Sequence, residues 1–308
     1  MKKNNHSMKS VLIVVAAEST QSDSMNWLPL RDAIRPHVKD AVVDMTSLTQ
    51  LIFDISNDNC RVFDSATGRD VASYDFVVIR NVGKTLELGI TLAQYLTMKN
   101  IPFTDEYLET RGAGKLACAM LRRRSNISTP HTVYALASLL GEYINTTGAL
   151  QYPFVLKADN GRKGRDNYLV TSAEDLTEKL DAQPNVAFIA QEFIENDGDY
   201  RALVMGDKIG LVIRRVASGD SHLNNTSQGG SAEIVDVSTF TDDVQLEILE
   251  AAKVEGLQVA GVDIIFDKHT NKHYFLEVNR APQIGTGAFA DQKIAAYSAM
   301  INERIHHV

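Results

Sequence analysis

The chain is 308 residues long and 44% of its residues are hydrophobic, which is enough for a packed globular protein of two or three subdomains. Its 39 acidic and 31 basic side chains give a formal charge of -8, which argues against general affinity for nucleic acid or an anionic membrane. The two cysteines, Cys60 and Cys118, lie far apart and in no zinc-ligand spacing, so no disulfide framework is predicted and a reducing cytoplasm is expected.

The first part of the chain, residues 9–104, alternates strand-like and helix-like patterns. Strands are predicted at residues 11–17, 41–45, 74–80 and 101–103, and helices at 26–38 and 85–100. This alternation is typical of a small α/β domain with a mostly parallel sheet. Residues 53–73, which are rich in Asn, Asp, Gly and Ser, predict a hairpin or loop excursion. The β-branched run at 11–17 favours a buried strand over a secretory signal, and no run reaches the roughly 18 apolar residues of a membrane helix.

Two further subdomains are predicted, a central one over residues 105–190 and a C-terminal one over residues 191–308. Helices are expected at residues 105–124, 134–143 and 242–256, and strands at 154–158, 168–170, 187–192, 201–205, 208–216, 261–267 and 273–278. The turn residues at 205–208 predict a hairpin between two of these strands. The acids at the start of 242–256 suit the N-terminus of an amphipathic helix.

A cation-rich loop follows the predicted strand at residues 154–158. The strand carries Lys157, and the loop after it contains Gly161, Lys163 and Gly164. Backbone N–H groups and positive charge in such a loop can hold a polyphosphate. The loop matches neither the P-loop nor the G-x-G-x-x-G motif, and a basic hairpin turn in water is the alternative interpretation.

Asp263, Glu277 and Asn279 are polar residues within two otherwise apolar strands. Because side chains alternate across a strand, Glu277 and Asn279 project from one face, and a paired neighbouring strand brings Asp263 beside them. Three oxygen donors on one sheet face are suitable ligands for magnesium. The alternative, an acid that caps a turn, is disfavoured because an unpaired carboxylate among apolar neighbours is costly.

Two weaker patterns lie between these segments. Residues 191–194 run from a strand into a turn ahead of Asp199, an arrangement that suits an adenine ring and ribose hydroxyls. Arg214 and Arg215 precede the polar, glycine-flanked stretch 219–230, which can neutralise a phosphate and close over it. An ordinary strand end and a flexible surface loop are the respective alternatives.

In this order, the patterns resemble the ATP-grasp superfamily, most closely the RimK-like branch of α-L-glutamate ligases. The matching stretches are residues 115–121, 152–157, 191–194, 199–208, 229–232, 261–263 and 277–279, together with Asn225. The resemblance extends from about residue 105 to residue 308, and more loosely over the N-terminal layer. It implies an α/β (α+β) fold in which a small parallel-sheet domain precedes two α+β subdomains that clasp ATP.

The resemblance also implies roles for individual residues. The ATP contacts would be Lys115, Lys157, Gly161, Lys163, Gly164, Gln191, Glu192, Phe193, Ile194 and Asp199. Two Mg²⁺ ions, with Mn²⁺ as an alternative metal, would bind Asp263, Glu277 and Asn279. The residues acting on the transferred phosphoryl group would be Asn225 and either Arg214 or Arg215, and those binding a substrate carboxylate would be Arg80, Arg201 and Arg280.

The implied reaction forms an amide from a carboxylate and an amine through an acyl-phosphate, with release of ADP and phosphate. Small molecules or short peptides are the expected substrates, with no nucleic acid or membrane partner, and a homo-oligomer is an open alternative. A ligase that modifies a peptide or protein, and a nucleotide-binding regulator without ligase activity, also stay open. Leu223, Ser227 and Gln228 stand where the family usually carries basic residues, so the expected acceptor is less anionic than glutamate.

Overall fold

The computed structural model describes residues 8–16, 28–55, 60–80, 82, 85–105, 108, 115–158, 167–184, 186–216 and 230–306. In this part of the chain, the strands form sheets of four, four and five strands and one two-stranded hairpin. The mixed α/β class expected from the sequence is confirmed. No helix within the described ranges is both long enough and apolar enough to cross a membrane.

The N-terminal layer contains one parallel sheet. Its strands are β1 (Lys9–Val15), β2 (Ala41–Ser47), β5 (Phe76–Arg80) and β6 (Phe103–Thr104), with helices α1 (Leu28–Ile34) and α2 (Leu86–Met98) and an antiparallel hairpin of β3 (Leu51–Ile55) and β4 (Cys60–Asp64). The sheet order is β2-β1-β5-β6, as expected for a small α/β layer. Alternate residues of β1 enter two different core clusters, so this strand is buried on both faces.

The central layer is an antiparallel sheet. It contains β7 (Thr132–Leu136), β8 (Phe154–Ala158), β9 (Asn167–Val170) and β10 (Ala187–Glu192), with helices α3 (Lys115–Arg124), α4 (Ala137–Thr147) and α5 (Ala173–Asp181). The order is β7-β10-β8-β9. Leu140 of α4 and Leu176 of α5 pack with Phe154 and Phe188 on one face of the sheet. The opposite face therefore carries the side chains of the alternate positions.

The C-terminal layer is a five-stranded antiparallel sheet. Its strands are β11 (Asp199–Met205), β12 (Lys208–Val216), β13 (Ser231–Val235), β14 (Val259–Phe266) and β15 (His273–Asn279), with helices α6 (Asp242–Val254) and α7 (Ala290–His306). The order is β13-β12-β11-β14-β15. Helix α6 packs Ile248 against Val262 on one face, and α7 packs Tyr297 against Leu203 on the other.

Helix α7 joins the first and last layers into one core. Its Tyr297 and Ile301 belong to a cluster that includes Val11 and Ile13 of β1 and Leu203 of β11. The first and third of the three predicted parts share this core. The boundaries predicted at residues 104/105 and 190/191 therefore stay a prediction.

One predicted helix is wrong over its first three residues. Residues 134–136 belong to β7, and the helix that follows them is α4. Strand β7 pairs with β10, and Val133 and Ala135 turn towards the central core while Tyr134 lies opposite Ile189. Strand pairing therefore overrides the helix-like pattern of this segment. Within the predicted helix 105–124, the structure has the helix α3, which begins at Lys115.

Apart from β7 and the short 3₁₀ helices, three elements of the described residues were not predicted from the sequence, namely β13, α5 and α7. The start of α5 had a readable signal, because Ser172 accepts a hydrogen bond from the backbone N–H of Asp175 and acids occupy the first turn. Helix α7 carries Lys293 at a buried position, which interrupts the apolar pattern by which such a helix is usually recognised.

Asp105 is a buried acid between the N-terminal and C-terminal layers. Its carboxylate accepts hydrogen bonds from the backbone N–H groups of Gln258 and Val259, and its own N–H donates to Gln258 Oε1 at 2.7 Å. Burial raises the pKa of Asp105 to about 7. The folded protein therefore retains a proton that the unfolded chain loses near its ordinary pKa of 3.8.

We expect stability to fall as the pH rises from about 4 to about 7, by up to about 4 kcal/mol from this group, and to level off above that range. Asp105→Asn keeps an acceptor for the two N–H groups and removes the titration. The free energy of unfolding, measured with urea at pH 5, 6 and 8, should depend less on pH in the variant than in the wild-type protein. Identical pH dependences for the two proteins would contradict this assignment.

Candidate active site

One face of the five-stranded sheet is apolar where α7 packs on it and charged beyond that helix. Asp199 and Arg201 of β11, Arg215 of β12, Asp263 of β14 and Asn279 of β15 form this charged cluster. They meet because alternate residues share a face and because antiparallel register places Arg201 opposite Asp263 and Arg215 opposite Asp199. The sheet thus gathers residues distant in sequence at one point.

Two bidentate ion pairs hold the charged cluster together. Arg201 donates from Nε and Nη2 to the two carboxylate oxygens of Asp263 at 2.7 and 2.6 Å. Arg215 donates in the same way to Asp199 at 2.7 Å from each nitrogen, and its Nη2 also lies 3.3 Å from Asp263 Oδ1. Such paired geometry is the strongest form of guanidinium–carboxylate contact. Burial alone would raise the pKa of Asp263, but the charges of Arg201 and Arg215 outweigh it and hold that pKa below its usual range.

The three predicted metal ligands lie on this same face. Asn279 Nδ2 donates to Asp263 Oδ2 at 3.2 Å, and Glu277 lies opposite Asp263 in the β14–β15 register. Glu277 is exposed, and it makes no hydrogen bond or ion pair within the described ranges. The donor set of two carboxylates and one amide suits Mg²⁺, which also takes water and phosphate oxygens. Among the described residues, no three His, Cys, Asp or Glu side chains form a metal site by themselves. A metal site at this position therefore also needs the amide oxygen of Asn279.

Metal binding at Asp263 requires a change in its present contacts. Its two oxygens accept from Arg201, Arg215 and Asn279, which together use the four acceptor positions of a carboxylate. Rotation of the Asn279 amide would replace its N–H donor with an oxygen ligand and free one of these positions. The residues therefore fit a magnesium site after a local side-chain rearrangement.

The two arginines predicted near the phosphoryl group have different surroundings. Arg215 belongs to the charged cluster, whereas Arg214 lies on the other face of β12, where it donates to Glu233 Oε1 at 3.0 Å and to the carbonyl of Asp197 at 3.2 Å. Of these two alternatives, the geometry favours Arg215. Asn225, the third predicted catalytic residue, lies outside the described residues.

The predicted phosphate-binding residues are only partly described. Lys157 Nζ donates to Gln191 Oε1 at 2.9 Å, and the Gln191 amide donates to Thr132 Oγ1 at 3.0 Å. These three hydrogen-bonded side chains lie on the face of the central sheet opposite α4 and α5. Gly161, Lys163, Gly164 and the side chain of Lys115, the first residue of α3, lie outside the described part.

The predicted adenine segment is the end of β10 and the residues after it. Glu192 is exposed and its backbone N–H donates to the carbonyl of His131 at 2.9 Å. Phe193 is half-buried and Ile194 is buried, so the segment offers an apolar surface. Asp199, predicted to bind ribose, instead pairs with Arg215 here. The nucleotide contacts of these residues stay predictions.

Of the three predicted carboxylate-binding arginines, Arg201 belongs to the charged cluster, whereas Arg80 and Arg280 have other contacts. Arg80, buried at the end of β5, donates to the carbonyl of Pro282 at 2.5 Å and lies over the ring of Tyr297. Arg280 donates to Cys118 Sγ at 2.9 Å. Lys293 of α7 is also buried, and it was not identified from the sequence because α7 itself was not predicted.

Comparison with known proteins gives a consistent assignment. Residues 112–303 match the family model of the RimK-like ATP-grasp domain. A probable alpha-L-glutamate ligase of Alkalilimnicola ehrlichii is 30% identical over 222 residues, which are 70% of this chain and 71% of that protein. Two solved structures show a similar fold.

The first of these structures is the ATP-grasp ligase PsnB complexed with a phosphomimetic variant of minimal precursor, Mg and ADP. It has a TM-score of 0.69 at 15% identity and covers 96% of this chain and 98% of PsnB. The second is D-alanyl-alanine synthetase A from Vibrio cholerae, with a TM-score of 0.65 at 12% identity over 97% of this chain and 98% of that protein.

Proposed function

Since this chain belongs to the RimK-like ATP-grasp family, we propose that it joins the carboxylate of one amino acid or short peptide to the amine of another through an acyl-phosphate. It is an ATP-dependent carboxylate–amine ligase, and its ATP-grasp fold uses ATP with magnesium. The choice of amino acid or short-peptide substrates and the number of metal ions are parts of the proposal.

The charged cluster is the observation that supports this function best. It places Asp263 and Asn279 in contact, Glu277 on the same sheet face, and two arginines beside them. A phosphoryl-transfer site needs oxygen ligands for metal and fixed positive charge for phosphate oxygens. Groups of both kinds lie on one face of the C-terminal sheet, which supports the proposal.

The reaction begins when a substrate carboxylate oxygen attacks the γ-phosphorus of ATP, and the bond to the bridging oxygen breaks to release ADP. The amine nitrogen of the second substrate then attacks the acyl carbon, and phosphate leaves. When bound at Asp263, Glu277 and Asn279, magnesium would neutralise charge on the phosphate oxygens. No side-chain nucleophile is needed for either step.

The chain's own residues align the reactants and supply charge. Lys157, oriented by Gln191, would contact the phosphates of ATP. Arg215 is held rigid by Asp199 and would face the phosphoryl group as negative charge develops. The rate enhancement would come from positioning and electrostatics, because the loose transition state of phosphoryl transfer requires little covalent catalysis by the protein.

A peptide-modifying ligase remains the second candidate, and the solved complex of PsnB with its precursor is the observation that favours it. A screen of amino-acid pairs and short peptides for ADP and phosphate release tests the proposed function. Mass spectrometry of the product separates a small amide from a modified peptide. Absence of phosphate release with amino acids and dipeptides, together with release on a longer peptide, would favour the second candidate.

Lys157→Ala should weaken ATP binding about 10- to 100-fold, because a charge-assisted contact to phosphate would be lost. Calorimetric titration with ATP and magnesium measures the change. The matched control is Lys179→Ala on α5, since Lys179 pairs with Glu178 at the surface of the same layer. Equal affinities for the two variants would identify Lys157 as a packing residue that only supports Gln191.

A further inference from the structure

Asn167, the first residue of β9, has a side-chain oxygen without a hydrogen-bond donor. This oxygen, Oδ1, is buried, and it accepts no hydrogen bond from any residue that the structure describes. A buried amide oxygen without a donor destabilises a protein, so such atoms are rare in native structures. The unpaired oxygen of Asn167 therefore indicates a position at which a bound molecule can supply the donor.

Asn167 lies on the face of the central sheet that carries the predicted phosphate contact Lys157. The β8–β9 register places Asn167 directly opposite Lys157. Directly opposite residues of an antiparallel pair project from the same face, with Cβ atoms about 5 Å apart. Helices α4 and α5 pack on the other face, which carries Phe154 and Phe188. A ligand whose phosphates reach Lys157 therefore passes close to Asn167.

The same part of this face also carries apolar side chains. They are Val155, Leu169 and Ile189, which share the face because they lie opposite one another or opposite Lys157 in the strand register. Val155 and Leu169 are half-buried, and none of the three belongs to a hydrophobic core cluster of the described residues. Apolar side chains beside a few polar groups are typical of a small-molecule site, and here they suit a flat nucleobase.

The other amide on this face, that of Gln191, already has a partner at each end. Its oxygen accepts from Lys157 Nζ, and its nitrogen donates to Thr132 Oγ1. The Thr132 hydroxyl in turn donates to the carbonyl of Pro130 at 2.9 Å. Of these two amides, Asn167 is therefore the one whose oxygen is available to a ligand.

Resting on the proposed function, in which Lys157 contacts the phosphates of ATP, we propose that Asn167 accepts a hydrogen bond from the adenosine part of the nucleotide. Adenosine offers two kinds of donor to an amide oxygen, the 6-amino group of the base and the hydroxyl groups of the ribose. A nucleotide that lacks the required donor leaves the buried oxygen unpaired and binds more weakly. Asn167 is therefore a residue that determines nucleotide specificity.

The affinities of the wild-type protein for ATP and three analogues give the first test. ITP lacks the 6-amino group, whereas 2′-deoxy-ATP and 3′-deoxy-ATP each lack one ribose hydroxyl. In calorimetric titrations with magnesium, one analogue should bind about 5- to 20-fold more weakly than ATP, and its identity shows which donor Asn167 accepts from. Equal affinities for all four nucleotides would overturn the proposal.

Asn167→Val removes the acceptor and introduces a side chain that suits a strand. The variant should bind ATP about 5- to 20-fold more weakly than the wild-type protein, and it should bind ATP and the identified analogue equally. Asn145→Ala is the matched control, because Asn145 lies on α4, where its Oδ1 accepts from the Tyr152 hydroxyl, and its loss should leave all four affinities unchanged. If Asn167→Val prefers ATP over the analogue as strongly as the wild-type protein does, the proposal is wrong.

Thermal unfolding without nucleotide distinguishes recognition of the ligand from a structural role. Asn167→Val should unfold at the same or a higher temperature than the wild-type protein, because a buried acceptor without a donor is removed. A lower unfolding temperature together with unchanged affinity for ATP would show that Asn167 only supports β9, which would refute the proposal. The comparison of nucleotides on the wild-type protein remains decisive if the variant fails to fold.

The same titrations show separately whether the proposed function fails. If the wild-type protein does not bind ATP with magnesium, both the proposed function and the role of Asn167 are wrong. If the wild-type protein binds ATP and all three analogues equally, only the role of Asn167 is wrong.

Discussion

Replacing Glu277 by alanine should reduce ADP formation by about a thousandfold or more, since a metal ion contributes several kcal/mol to stabilising developing charge. The fold should be unaffected. Glu277 is exposed, and it has no hydrogen-bond or ion-pair partner among the described residues, so its truncation breaks no such contact there. ADP release in a coupled assay, together with thermal unfolding, measures both outcomes.

Two controls sharpen the Glu277 experiment. Glu277→Gln keeps the size of the side chain and should raise the magnesium concentration needed for half-maximal rate, which loss of shape alone would not do. Glu250→Ala removes a half-exposed glutamate of α6, which pairs with Lys253, and should leave turnover unchanged. Wild-type turnover in Glu277→Ala would remove Glu277 from the metal site.

Arg215→Met should lower the free energy of unfolding by about 3–5 kcal/mol, because it leaves the buried Asp199 without its bidentate partner. The Arg215 and Asp199 side chains are only 7% and 10% exposed, so solvent does little to screen their charges. Arg214→Met, one residue away, breaks an exposed pair with Glu233 and an exposed hydrogen bond to the carbonyl of Asp197, and it should cost at most about 1 kcal/mol. Urea unfolding of both variants measures the difference.

A double variant separates the buried charge from the lost packing. Arg215→Met combined with Asp199→Leu removes both charges and should recover much of the stability lost in Arg215→Met alone. Equal losses for Arg214→Met and Arg215→Met would show that the Asp199–Arg215 pair contributes no more than a surface pair.

Most of the architecture could be predicted from the sequence, because the strands that form the core and the site have clear hydrophobic patterns. The buried β1 and the two β14–β15 strands with their acids were identified by apolar runs and by alternation. Alternation also placed Glu277 and Asn279 on one face, and the register confirms that Asp263 lies beside them. These inferences needed only the period of a strand.

Pairings between distant residues could not be predicted in the same way. The bidentate contacts of Arg201 with Asp263 and of Arg215 with Asp199 depend on strand order, which the sequence does not encode locally. Residues 134–136 appeared helical because their partner strand β10 lies more than 50 residues away. Lys293 was not identified because its helix, α7, was not predicted from the sequence.

Helix α7 has a consequence for how the protein is made. It is synthesised after the fifteen strands of the described residues, yet its Tyr297 and Ile301 fill the core beneath β1. During translation the apolar face of the first sheet that carries Val11 and Ile13 is therefore covered only in part, by Leu30 and Ile34 of α1, until α7 has been made. Nascent chains that stop before residue 290 would expose this apolar face, a surface that chaperones bind and that drives aggregation.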